Sequence, residues 1–209
     1  MAIDFTSLSG GSAAPVEVTP VAPGVSLNLS KGAVLDLQKA DPGLVHAQLC
    51  AGWDAAVSGA DIDIDISCFM CNQNDKITSA NDVVFYNNPS VPGVKLNGDN
   101  RTGAGEGDDE TMDIDLNQIP AHIKKLVCVV SIHEAQARRQ TFGMVNNSYV
   151  RLVNKDTGAE ISKFSLKTDG STYTTIIFAE LVKSNGTWAF HALGEGNQSD
   201  LNGIAALFS

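Results

Sequence analysis

The sequence predicts a mainly β protein, a β-sandwich of two antiparallel-rich sheets with a few short helices. Three observations carry that prediction. Short alternating or apolar runs, many rich in Val, Ile, Thr and aromatics, recur along the 209 residues. Turn signals separate them, and helical patterns are few.

In chain order, residues 1–23 are rich in Ser, Gly and Ala and contain Pro15, Pro20 and Pro23, which reads as a flexible N-terminal tail before a domain at 24–209. The strand candidates are 25–29, 44–51, 62–70, 83–86, 112–116, 126–132, 149–153, 161–166, 175–182 and 187–193. Asn87-Asn88-Pro89, Pro92-Gly93, Asp156-Thr157-Gly158 and Asp169-Gly170 punctuate them. Asn185-Gly186 joins the last two strands as a tight hairpin. Helices are expected at 134–140 and at 200–207, the second capped by Asp200.

Composition narrows the function. With 43% hydrophobic and 18% charged residues the chain can bury a core. It has no apolar run of membrane-spanning length and no signal-peptide pattern, so a cytoplasmic location is expected. Residues 54–65 carry four Asp and no base, and residues 99–115 carry seven acids and only Arg101. These two segments account for the whole net charge of −10. Direct nucleic-acid binding, which needs the opposite sign, is disfavoured.

Cys50, Cys68, Cys71 and Cys128 are expected as free thiols. Cys68 and Cys71 form a C-x-x-C, but on a strand positions three apart face opposite ways. No second C-x-x-C completes a zinc site.

The acidic segments are the candidate site. In Asp61-Ile62-Asp63-Ile64-Asp65-Ile66 the alternation sets the isoleucines on a core face and the three Asp on the other. Same-face neighbours roughly 6.7 Å apart repel by about 0.6 kcal/mol in water, so a solvated strand face is one reading. An EF-hand is excluded, because its sixth and twelfth positions would hold Ile66 and Asn72. The second segment interleaves Gly103, Gly105 and Gly107 with Asp99, Asn100, Thr102, Glu106, Asp108, Asp109 and Glu110. Glycines turn tightly and expose carbonyls, and calcium accepts about 6–8 oxygen ligands in flexible geometry. Together the two segments favour a cation, calcium before magnesium, zinc or copper, over a solvated acidic surface. The candidate ligands are Asp61, Asp63, Asp65, Asp99, Asn100, Thr102, Gly103, Glu106, Gly107, Asp108, Asp109 and Glu110, for one or two ions.

These segments, with Gly52-Trp53-Asp54, Asp82-Val-Val-Phe-Tyr-Asn-Asn88, Ile132-His-Glu-Ala-Gln-Ala-Arg138 and Phe142-Gly143, resemble the TerD family of tellurium-resistance and stress proteins over residues 25–207. The resemblance implies a β-sandwich that binds calcium through the two acidic segments. It also implies a stress operon linked to tellurite, phage and colicin resistance. The expected partners are other proteins of a stress-resistance complex at the inner face of the membrane, and no enzymatic activity is implied. Ala104 departs from the family pattern, in which an acid is common, and Cys68 and Cys71 lie outside its signature.

Other chemistry is weakly signalled. His133-Glu134 begins an H-E-x-x-H motif, but Ala137 breaks it. His46, His122 and His191 are isolated. The acids around Gly103-x-Gly105-x-Gly107 would repel a phosphate that no cation bridged. The alternative function is a metal-dependent hydrolase or phosphotransfer enzyme using the same carboxylates, but no general base is designated.

Overall fold

The computed structural model describes residues 27–28, 31–54, 61–98, 107–166 and 172–209. The tail expected at 1–23 lies outside them. The β-sandwich prediction holds. One sheet runs in the order β1 (Leu27–Asn28), β11 (Glu160–Ser165), β10 (Asn146–Asn154), β3 (His46–Asp54), β8 (Glu110–Asp115), β7 (Val94–Asn97), β6 (Ser90–Val91). The other runs β2 (Val34–Asp36), β13 (Thr187–Asn197), β12 (Thr175–Ser184), β9 (Lys125–Ile132), β4 (Ile64–Cys71), β5 (Val83–Val84). Among the described residues only β1 and β11 pair in parallel.

Alternation along each strand builds the core between the sheets. Leu49, Met112, Val150 and Leu152 of the first sheet meet Ile64, Ile66, Cys128, Val130 and Phe178 of the second. The second sheet also has an apolar outer end, where Phe69, Val127 and Val129 lie under Ile204, Leu201 and Phe208. The helix α3 (Leu201–Ala205) closes that end, and Asp200 caps it by accepting from the Gly203 amide at 2.9 Å. Cys68 therefore sits in the inter-sheet core and Cys71 under the C-terminal cover, on opposite faces as the spacing requires. All four cysteines are buried and free.

The hairpin at Asn185-Gly186 forms as expected. Ser184 pairs with Thr187, and both turn residues are left-handed, at φ 52° and 87°, as a two-residue turn demands. The helix expected at 134–140 shrinks to α2 (Ala135–Arg138), because Glu134 and Arg139 both adopt left-handed backbone and bracket it. Strands β2, β6 and β7 escape sequence patterning because two to four residues show no period. The same holds for α1 (Leu37–Ala40), which follows β2 under an Asp36 cap.

Candidate functional site

The chain entering β4 is pinned at consecutive carbonyls. Gln140 Nε2 donates to the Asp61 carbonyl at 2.9 Å, Trp53 Nε1 to Ile62 at 3.0 Å, and the His133 amide to Asp63 at 2.8 Å. Ile62, Ile64 and Ile66 turn into the core. Asp63 and Asp65 do not face open water: they are 8% and 5% exposed. The solvated-face reading thus fails for these two, because chain distant in sequence covers them. Asp65 lies beside His133, with Oδ2 3.6 Å from Nδ1, in a cleft walled by α2 and the start of α3.

The acidic segment before β8 ends here as well. Three adjacent acids point to three targets. Asp108 accepts from Arg151 through both oxygens, at 2.9 and 2.7 Å, and from the Tyr149 hydroxyl at 3.0 Å. Asp109 accepts from the Trp53 amide at 2.9 Å. Glu110, 1% exposed, crosses to the other sheet and accepts from the Ile66 amide at 2.7 Å. The Gly107 carbonyl accepts from the Tyr149 hydroxyl at 3.0 Å. The last residues of one acidic segment therefore sit against the strand that carries the other.

Electrostatics separates these acids. Burial raises the Asp108 carboxyl, but the Arg151 hydrogen bonds and charge, aided by Cys50 and Tyr149, hold it below the ordinary carboxylate value. Burial, with the nearby charges of Asp108 and Asp54, holds Asp109 above it despite the Trp53 amide. Burial and Asp108 push the Tyr149 hydroxyl up to about 12. Asp108 is accordingly an ionised anchor for the loop on the outer face of the first sheet.

Of the candidate ligands, Asp61, Asp63, Asp65, Gly107, Asp108, Asp109 and Glu110 gather around the β3–β4–β8 corner. Asp99, Asn100, Thr102, Gly103 and Glu106 lie outside the described residues. Among the described residues no three His, Cys, Asp or Glu side chains converge as a metal cluster. Sequence reading missed Trp53, Arg151 and Gln140. Gln140 is 6% exposed, and its Oε1 is buried with no hydrogen-bond partner among the described residues. The only sequence signal for these positions was the Gly52-Trp53-Asp54 segment. Its glycine makes room for the Tyr149 ring, which would lie 2.5 Å from a Cβ there and would have to shift.

Fold and corner together define a class of β-sandwich in which acidic segments from both sheets meet at one edge. A sequence model described as the TerD domain matches residues 25–208, and the chain belongs to the TerD family. It is 42% identical over 187 residues to the tellurium resistance protein TerD of Serratia marcescens, covering 88% of this chain and 97% of that one. It is 43% identical over 185 residues to general stress protein 16U of Bacillus subtilis (strain 168), covering 87% and 96%. Among solved structures, the unknown-function protein SAV2460 matches with a TM-score of 0.68 at 26% identity, over 78% of this chain and 95% of that one. No helix among the described residues is long and apolar enough to cross a membrane.

Proposed function

We propose that this protein is a calcium-binding, non-enzymatic stress-response protein linked to tellurium resistance. In this reading it works in the cytoplasm as a calcium-dependent interaction module for other resistance proteins. One observation supports this best: Asp63 and Asp65 at the start of β4, and Glu110 reaching β4 from the start of β8, are each less than 10% exposed. Like charges gathered out of water are costly unless a cation offsets them.

The donor chemistry fits a hard cation. Carboxylate oxygens dominate, and the buried Oε1 of Gln140 adds a neutral oxygen beside Asp61. Asp61, Asp63, Asp65, Asp109 and Glu110 would hold calcium from the described side, with Asp99, Asn100, Thr102, Gly103, Glu106 and Gly107 from the loop. Asp108, committed to Arg151, would anchor the loop. Bound calcium would neutralise the carboxylates and tie the loop to β4.

Thermal melting tests this. At 100 times its dissociation constant, calcium would stabilise by about 2.7 kcal/mol, a rise of roughly 5–10 °C for a chain of this size. Magnesium should give much less. A melting curve indifferent to calcium and chelator refutes the proposal. A panel of phosphoesters with calcium, magnesium and manganese should show no turnover beyond the metal alone. Turnover abolished by Asp63→Asn would establish the hydrolase instead.

A further inference from the structure

Cys68 and Cys128 are register partners across β4 and β9. Both are free, fully buried and part of the core between the sheets. The phase of the ladder decides how they meet. The His133 amide donates to the Asp63 carbonyl at 2.8 Å, so the hydrogen-bonded pairs of this ladder fall at odd-numbered residues of β4. At even-numbered residues the amide points away from β9, as that of Ile66 does toward Glu110. Cys68 and Cys128 are therefore a non-hydrogen-bonded pair, the kind whose Cα atoms stand about 4.5 Å apart and whose side chains come closest. A disulfide spans Cα separations of about 4.4–6.8 Å. The two thiols already interact, the Cys68 sulfur lying within hydrogen-bonding reach of Cys128.

The other two thiols are placed differently. Cys71 lies on the opposite face of β4, under the C-terminal cover. Cys50 belongs to the other sheet, beside Gln48 and Asp108. Packing asks only for small side chains along this row, since Cys128 pairs next with Ala179, and Ala179 with Ala192, both buried. What two opposed sulfurs add to such a row is the capacity to form a bond.

Burial, and then Cys68, push the Cys128 thiol well above its ordinary value. A thiolate therefore forms rarely, when the strands part locally. A small uncharged oxidant, a hydroperoxide, suits such a site. The sulfur of one thiolate attacks a peroxide oxygen and breaks the O–O bond. That sulfur becomes a sulfenic acid, and the departing oxygen takes up the proton the thiol lost. The opposing thiol then attacks the sulfenic sulfur, and the S–S bond forms as water leaves. The sulfurs together lose two electrons, and the peroxide gains them.

We propose that Cys68 and Cys128 form a redox site, which a hydroperoxide oxidises to a cross-strand disulfide that ties β4 to β9. The site stands apart from the calcium reading and needs no metal.

The test uses the full chain, folded, reduced, freed of reductant and exposed to hydrogen peroxide without denaturant. Remaining thiols are then alkylated in urea, and the digest is read by mass spectrometry. A peptide pair linked through Cys68 and Cys128, two hydrogens lighter than its separate halves, should be the main cysteine product. Dithiothreitol should abolish it. Cys50→Ala and Cys71→Ala should form it as wild type does. The oxidised chain should need more urea to unfold than the reduced chain. The proposal is overturned if the thiols stay free at peroxide concentrations that fully oxidise glutathione, or if they reach sulfinic or sulfonic acid singly. A Cys68–Cys128 link formed only in urea, a main link to Cys50 or Cys71, or an oxidised chain no harder to unfold overturns it too.

Discussion

Glu110 Oε2 lies 2.7 Å from the Ile66 amide nitrogen, so a side chain from one sheet completes the backbone hydrogen bonding of the other. Among the described residues, strand β5 pairs only with Cys68 and Phe69 of β4, and at Ile66 the acceptor is Glu110 instead. Glu110→Ala removes that acceptor and strands a buried amide. It should cost about 1–3 kcal/mol in urea denaturation, whereas Glu110→Gln keeps an acceptor and should cost less.

The loop's attachment to the first sheet depends on an absent side chain. Tyr149 and Gly52 are register partners, and the Tyr149 ring occupies the space a Cβ at 52 would need. Gly52→Ala should push Tyr149 off Gly107 and Asp108 and cost about 1–3 kcal/mol. Arg151→Ala should cost about 2 kcal/mol by leaving Asp108 without its bidentate partner. Both variants should be cleaved faster by protease within residues 99–106.

The Arg151–Asp108 pair also sets a pH dependence. The folded carboxyl of Asp108 lies below its ordinary value, so its stabilisation is fully present above about pH 4 and is lost as pH falls toward the folded pKa. Without calcium, urea stability should fall over that acid window. Asp108→Asn should be less stable than wild type at pH 7 and lose less on acidification.

Gln140 is a ligand candidate that patterning could not find. Gln140→Leu removes both the donor to Asp61 and the orphaned oxygen. It should weaken calcium about five- to tenfold, read by calorimetric titration, while the melting curve in chelator moves only slightly.

How much was legible depends on range. The Asp/Ile alternation placed Ile62, Ile64 and Ile66 in the core correctly, because a period of two is a local property. The burial of Asp63 and Asp65 was hidden, because their cover comes from chain far along the sequence. Likewise the contiguous run Asp108-Asp109-Glu110 gives no hint that its members serve Arg151, Trp53 and Ile66. Those partners are 43, 56 and 44 residues away. The C-x-x-C was read correctly because face alternation alone decides it.

If calcium joins residues 99–110 to the edge of β4, as proposed, isothermal titration of the full chain with calcium reads it out. Binding of one or two ions should saturate, weaken at least tenfold in Asp63→Asn and change little in Asp156→Asn, a carboxylate outside the corner. No saturable heat, or the same isotherm in wild type and Asp63→Asn, would contradict it.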